Sequence, residues 1–528
     1  NYKSTDEIEI EIRNPNVPIT QVNESYLENG KSWNTSTTAV GIAGTNSTVL
    51  EVSSLPPINL GYRLHYLMDY PHGCIEQTTS AVFPQLYLDV VKELNDNEKR
   101  RIKNNVTRGI ERLRLFVTRD GGFGYWPGYQ NSDEWGTSYA GHFMISALDK
   151  GYFVSDEMMK RWKKYQKNKA AEWRNPLNKE YYYSDLLQAY RLYTLALAGA
   201  PELGAMNRMR ELKDISTQAK WMLAAAYAKV GQPEAAKLLI ANLTTQIKPY
   251  QEMYYTYGND IRDKAIILET LILLNDKPRS FEMVRELSKA LSNQNYWMST
   301  QTIAYSLKSI GQFVNSEKRS SISFTYSYNG QSTSATSQAP LMQLNLDVKG
   351  TQKKPISISN TGGGGLFVRV INRGTPAQGT EEALRNNLSM EVTFTNSKGV
   401  GIDVTKLEQG TEFYANVTVK NPGLRGNYEN LALTQVFPSG WEINNVRLTN
   451  DEGTEKTDRG DYQDIRDDRV NTYFRLWALN QRTFRVSLTA SYSGTFYLPG
   501  ASCEAMYDNT INAKDKGQMV EVVKRVVQ

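Results

Sequence analysis

The stretch Tyr70-Pro71-His72-Gly73-Cys74-Ile75-Glu76-Gln77-Thr78-Thr79-Ser80 is where the chain changes its hydrophobic period, and that change decides the fold. Upstream of it, to about Val52, apolar and polar residues alternate as in β-strands. The alternation is plainest in Glu7-Ile8-Glu9-Ile10-Glu11-Ile12, and turn signals stand at Asn14-Pro15 and Asn29-Gly30. Downstream, from Thr78 to Ile310, the spacing becomes helical, interrupted by Gly, Pro and Asn. Segments 78–94, 98–117, 137–151, 182–198, 217–230, 261–274 and 300–310 are the clearest of about ten to twelve expected helices. Several carry Ala, Leu and Tyr on both sides and so need burial between two layers rather than one wet face. An α/α toroid meets that demand. Loops of loosely similar character precede several helices, at Asp120-Gly-Gly-Phe-Gly-Tyr-Trp126, Tyr257-Gly-Asn-Asp260 and Asn295-Tyr-Trp-Met-Ser299, as a repeating helical hairpin would require.

Past Arg319 the period returns to two, in 321–328, 366–371, 390–394 and 413–419, with the glycine run 362–365 as a loop. A strand-rich segment of about 50 residues does not close a stable sandwich alone. The first strands are therefore expected to pair with those after the helices, which makes the helical block an insertion. After the polar segment 374–387, a last unit with Pro/Gly turns such as Pro438-Ser-Gly440 reads as a separate β-sandwich. The expected division is 1–52 and 320–380 as the two parts of a split β-sandwich, 53–319 as the toroid, and 381–528 as the terminal sandwich.

Composition narrows the function. The 61 basic residues are balanced by 56 acidic ones, for a net charge of only +5, and the densest basic cluster, Lys99, Arg100, Arg101 and Lys103, reads as a solvated helix face. No nucleic-acid partner is expected. No apolar run approaches the roughly 18 residues a membrane helix requires. The chain opens on Asn1 with no charged-then-apolar signal segment, which suggests a piece of a longer protein whose signal or anchor lies upstream. Two cysteines, Cys74 and Cys503, leave either one bridge or two separate thiols.

The chemistry concentrates at the junction. Residues three apart at the start of a helix meet on one face, so the Cys74 sulfur and the Gln77 carboxamide can approach each other, and Gly73 permits a close backbone approach just before them. Cys74-Ile75-Glu76-Gln77 resembles the Cys-x-Glu-Gln motif of the thioester proteins, the alpha-2-macroglobulins and complement components. The flanking Tyr-Pro-x-Gly-Cys resembles their bacterial branch. The resemblance implies an internal thioester between Cys74 and Gln77, formed with loss of ammonia, with Gly73 and Glu76 as supporting motif residues. It implies a CUB-like split β-domain around the thioester domain and a macroglobulin-like terminal domain. By the same resemblance, Tyr62 and Met506, with Tyr507 as the fallback, shield the bond from water. The implied function is covalent capture of attacking proteases through their lysine amines, by an inhibitor rather than an enzyme, with the remaining macroglobulin domains as partners. The implied location is the periplasm or cell envelope, held by an upstream lipoprotein anchor. No cofactor or metal is called for.

Some complement relatives use a His about a hundred residues beyond the Cys to favour hydroxyl targets. The loop 128–134 contains none and His142 lies inside the next helix, where packing is the expected role, so amines are the expected targets. Asp464-Ile-Arg-Asp-Asp468 has the look of an aspartate-rich metal site, but it lies in the terminal β unit, where a charged loop is expected. Two rival functions stay open. One is a toroid enzyme acting on glycans or isoprenoids, which needs convergent carboxylates in the toroid cavity; the other is a scaffold with a free Cys74.

Overall fold

The computed structural model describes residues 19–69, 73–175, 184–293, 297–317, 321–347, 353–375, 382–444 and 458–525. The alternating stretch 7–12, the Asn14-Pro15 turn, Tyr70, Pro71, His72, Asn295 and Tyr296 lie outside them. Strands β1 (Ile19–Leu27), β2 (Ser32–Thr37) and β3 (Ser47–Ser53) precede the helices. β4 (Ile322–Tyr328), β5 (Gln331–Ser337), β6 (Leu341–Leu346), β7 (Lys354–Asn360) and β8 (Leu366–Gly374) follow them. The two groups interleave in antiparallel sheets ordered β1-β8-β3-β6 and β2-β7-β4-β5. Alternation along the strands turns Leu50, Val52, Ile356, Ile358, Val368 and Val370 into one shared core. Neither group could bury that face without the other, because β3 needs both β8 and β6 as neighbours.

The helices inserted between β3 and β4 are α1 (Leu60–Asp69), α2 (Ile75–Val82), α3 (Leu88–Val91), α4 (Asp96–Leu113), α5 (Glu134–Asp149), α6 (Asp156–Glu172) and α7 (Ser184–Leu197). They continue with α8 (Leu203–Arg210), α9 (Thr217–Lys229), α10 (Pro233–Ile240), α11 (Asp260–Leu273), α12 (Lys277–Ser292) and α13 (Thr300–Ser316). An inner ring packs α2 on α5, α5 on α7, α7 on α9, α9 on α11, α11 on α13, and α13 back on α2. Outside it, α4, α6, α8, α10 and α12 cover the seams. This is the expected α/α toroid, and it explains the two-sided apolar helices: α5 buries an unbroken run from Trp135 to Ala147, whereas the outer α4 buries only Val106, Gly109, Ile110 and Leu113. The segment 78–94, expected as one helix, is three pieces. Pro84 lacks the N–H that would continue α2, and a 3-10 turn, Phe83–Tyr87, intervenes before α3. The short α1 went unanticipated, since Leu60, Leu64 and Leu67 are too few to set a period.

The ring is packed to contact. A Cβ at Gly141 on α5 would lie 2.2–2.4 Å from three atoms of the buried Trp162 indole on α6. Gly141→Ala is therefore expected to destabilise by about 1–3 kcal/mol through overpacking, against the usual stabilising effect of Ala in a helix interior. Thermal unfolding of the two proteins checks this; an unchanged or raised Tm would refute it.

Among its described residues the terminal unit forms three sheets. One joins Ser389–Thr395, Glu412–Lys420, Gln481–Ala490 and Trp441–Asn444. A second, of six strands, runs Tyr462–Ile465, Arg469–Leu476, Tyr428–Val436, Ser502–Ala505, Asp508–Lys514 and Leu384–Asn386. A small third sheet holds Lys406–Glu408, Gln518–Val523 and Gly494–Leu498. Cys503 is buried in the core of this unit, while Cys74 lies in that of the toroid, so the two are separate thiols. No helix among the described residues is long and apolar enough to cross a membrane.

Candidate functional site

Cys74 is the N-cap of α2, with φ −66° and ψ 172°, and Gln77 is the third helical residue. Together they form a capping box. The Gln77 backbone N–H points at Cys74 Sγ, 3.5 Å away, and the Cys74 N–H donates to Gln77 Oε1 at 3.3 Å. The usual hydroxyl of such a box is replaced by sulfur. The geometry that caps the helix thus folds the carboxamide back over the residue carrying the thiol.

The lid comes from the terminal unit, more than 400 residues along the chain. Gln77 Nε2 lies 3.3 Å from Met506 Sδ, and the Tyr507 hydroxyl lies 3.6 Å from Cys74 Sγ. That hydroxyl donates to Glu76 Oε2 at 3.1 Å and meets the Tyr125 hydroxyl at 2.8 Å. The Tyr257 ring stacks on Tyr507 with centroids 4.8 Å apart, and its hydroxyl donates to Asp133 Oδ2 at 2.8 Å. Cys74, Glu76, Gln77, Met506 and Tyr507 are all buried.

Burial dominates the electrostatics. A helix N-terminus favours an anion by roughly 0.3–1 kcal/mol, less than one pKa unit. Desolvation, with the Glu76 carboxyl beside it, nevertheless pushes the Cys74 thiol up to about 12. At neutral pH the free thiol is protonated. Burial likewise lifts Glu76 to about 7, although Ser80, Thr300 and Tyr507 donate to it and Arg262 lies near. Asp133, the N-cap of α5, is raised to about 6.

The N-terminal ends of the inner helices converge here. Thr300 on α13 donates to Glu76, Thr302 on α13 donates to Asn259, the N-cap of α11, and Tyr257 joins that end to α5. Arg262 fixes the loop that carries Tyr257. It is fully buried, donates to Thr256 O and Gln301 Oε1, pairs with Asp263 at 2.8 Å and lies 4.4 Å from the Trp135 ring centre. Around the pair, the toroid and terminal unit meet through rings. Trp126 stacks on Tyr462 at 4.6 Å and lies 4.2 Å from the Tyr473 centroid, and Tyr129 donates to Asp461 O. Asn430, in the left-handed region at φ +52° within a bulge, accepts from the Met506 N–H and donates to Met253 O.

Of the residues expected at the site, the structure gathers Cys74, Glu76, Gln77, Met506 and Tyr507. Gly73 packs beside Arg112, whose Nη2 would lie 2.4 Å from a Cβ there. Tyr62 is half-buried on α1 with the Arg63 guanidinium 5.5 Å from its ring centre, and no hydrogen bond or ring contact links it to Cys74 or Gln77. Sequence reasoning missed Tyr125 and Tyr257, although both sit in the loosely repeated loops that it read only as turns. His142 packs in the toroid core against Tyr190, Lys308 and Glu269. The Asp464–Asp468 run makes a turn in which Arg466 N–H bonds Arg469 O, and each of those arginines pairs with an aspartate of the run. Among the described residues, no group of three His, Cys, Asp or Glu is placed to hold a metal.

Two domain families match this architecture: the A-macroglobulin TED domain over residues 51–171 and the bacterial alpha-2-macroglobulin MG10 domain over residues 388–509. Both are domain types of macroglobulins. The alpha-2-macroglobulin of Escherichia coli K12 is 24% identical across 93% of the chain, and the homolog of Yersinia pestis 23% identical across 86%. Among solved structures, native E. coli alpha-2-macroglobulin from domain MG7 to the C-terminus superposes with TM-score 0.77 at 21% identity, over 96% of this chain and 82% of that one. Salmonella alpha-2-macroglobulin reacted with methylamine gives 0.78 at 23% identity, over 96% and 34%. The chain is similar to the C-terminal part of the bacterial alpha-2-macroglobulins. It spans 31% and 24% of the lengths of the E. coli and Yersinia relatives.

Proposed function

We propose that this chain is the thioester-bearing part of a protease trap, in which the Cys74 sulfur and the Gln77 side-chain carbonyl are joined with loss of ammonia. The observation that carries the reading is the buried capping box, with sulfur and carboxamide folded together under Met506 and Tyr507. A lysine amine of an attacking protease adds to the Gln77 carbonyl, Cys74 leaves as a thiolate, and an amide tethers the protease. Each bond is used once, so the protein captures rather than turns over its target. Water would open the same bond, and the ring-lined contact with the terminal unit excludes it. The trap works with the macroglobulin domains of the longer protein, in the periplasm or cell envelope under a lipoprotein anchor. Cell fractionation of the source bacterium tests that location, and a cytosolic protein would overturn it.

The rival toroid enzyme is disfavoured because two inner-ring carboxylates are engaged in closed pairs, Glu269 with Lys308 and Asp263 with Arg262, and a third, Glu76, is taken up by the hydroxyls of Ser80, Thr300 and Tyr507. The decisive measurement is mass. The peptide holding Cys74 and Gln77 is expected one ammonia lighter than encoded, and methylamine should add once and release one titratable thiol. An unmodified Gln77 with a free Cys74 from the outset would leave a scaffold instead.

A further inference from the structure

The site contains more than a closed bond needs, and the surplus points to how the bond is made. The Cys74 thiol is a poor nucleophile while protonated, and an amide is a poor electrophile, so closure needs a proton acceptor, an oxyanion donor and a proton for the departing nitrogen. Each has a counterpart. The Tyr507 hydroxyl touches Cys74 Sγ at 3.6 Å and already donates to Glu76 Oε2 at 3.1 Å. The Cys74 N–H lies 3.3 Å from Gln77 Oε1. Glu76 is fully buried on α2, yet among the described residues it forms no ion pair; three hydroxyls, of Ser80, Thr300 and Tyr507, serve it.

We infer that Tyr507 passes the Cys74 thiol proton to Glu76 as the Cys74–Gln77 bond closes, so that closure requires the terminal sandwich to be docked on the toroid. This rests on the thioester reading and extends it to the bond's formation. As sulfur attacks Gln77 Cδ, the S–H proton moves to the Tyr507 oxygen while the Tyr507 proton moves to Glu76 Oε2. The Cys74 N–H holds the carbonyl oxygen of the tetrahedral adduct. The adduct then collapses, the C–N bond breaks, and the proton returns through Tyr507 to Nε2, which leaves as ammonia. Thiol and carboxamide become thioester and ammonia, and Glu76 and Tyr507 end as they began.

The groups facing Glu76 are Cys74 on its own element, Tyr66 on α1, Tyr125 and Tyr139 from the loop before α5 and from α5, Arg262 on α11, and Tyr507. Each of these tyrosines is raised above its usual range and so stays neutral near pH 7, which leaves Glu76, held at about 7, to titrate there. Since Glu76 must be ionised to accept the proton, closure should speed up as pH rises and level off above about 7.

The whole chain, opened with ammonia so that Gln77 and the thiol are regenerated, is freed of ammonia and followed by thiol titration and mass as it recloses. The unaltered protein should show the plateau, while a rate still rising tenfold per pH unit beyond about pH 9 would mean unassisted thiolate attack and overturn the relay. Tyr507→Phe removes one oxygen and keeps the ring that stacks on Tyr257; it should slow closure at least about 100-fold. Glu76→Gln should slow it similarly and abolish the plateau, with Glu76→Asp restoring it in part. Closure of Tyr507→Phe at the unaltered rate and pH profile would sink the relay alone. An unaltered protein that never loses ammonia or takes up methylamine would sink the thioester reading with it.

Discussion

Lys308→Met is expected to lower the unfolding free energy of the toroid by about 3–5 kcal/mol at pH 7. Lys308 and Glu269 pair at the centre of the ring with side chains 1% and 3% exposed, and His142, Tyr193 and Gln312 converge on the same carboxylate oxygen. Met fills the space of the lysine stem but leaves the carboxylate buried without its cation, which is the costly way to break such a pair. Urea unfolding measures the loss, and a change below about 1 kcal/mol would refute it. The pH dependence carries a second signature. Burial and the Lys308 charge lower His142 to about 4, so the unfolded chain binds its proton first. That contribution to stability is present above the usual histidine value of 6.5 and is lost as pH falls towards 4. Glu269, held well below the carboxylate range, adds a loss at still lower pH. In Lys308→Met the imidazole can charge beside Glu269 and replace the missing cation, so between pH 7 and 5 the variant should lose less stability than the unaltered protein.

Trp126→Ala is expected to loosen the toroid from the terminal unit without unfolding either. The indole is buried between Tyr462 and Tyr473, and truncating a buried Trp costs about 3–5 kcal/mol. Most of that cost falls on the contact between the units. At 1.4 kcal/mol per factor of ten, opening should become about 10²–10³ times more frequent. Hydrogen exchange of the peptide that begins at Cys74 should accelerate accordingly, as the lid carrying Met506 and Tyr507 lifts. Unchanged exchange there, with normal melting, would show that Trp126 is not part of the latch.

The toroid and its insertion were legible because they rest on periodicity and on arithmetic. Two-sided helices such as α5 require two layers, and a few strands cannot close a sandwich without partners. That Cys74 and Gln77 lie side by side was legible because a helix start fixes which side chains meet. What the sequence concealed is long-range. Tyr125 and Tyr257 look like ordinary turn aromatics until the ring of helices brings their loops to one end. Their convergence was latent in the loose repeat, since equivalent loops of a toroid lie at the same end. Tyr62 illustrates the opposite failure: four Tyr residues lie between 62 and 87, and nothing local says which of them faces the pair. The break at Pro84 was available from proline alone and was lost to a strong apolar run.

The sheet order β1-β8-β3-β6 also sets a timetable for synthesis. Leu27 at the end of β1 pairs with Leu366, so the first described strand waits for more than 300 residues to be made before β8, its one sheet neighbour among the described residues, exists. At about 5–20 residues per second that is roughly 20–70 s on the ribosome. An apolar strand left unpaired for so long would invite aggregation. The sequence of β1, Ile-Thr-Gln-Val-Asn-Glu-Ser-Tyr-Leu, is largely polar, which suits a nascent segment that must stay soluble until its partner is translated.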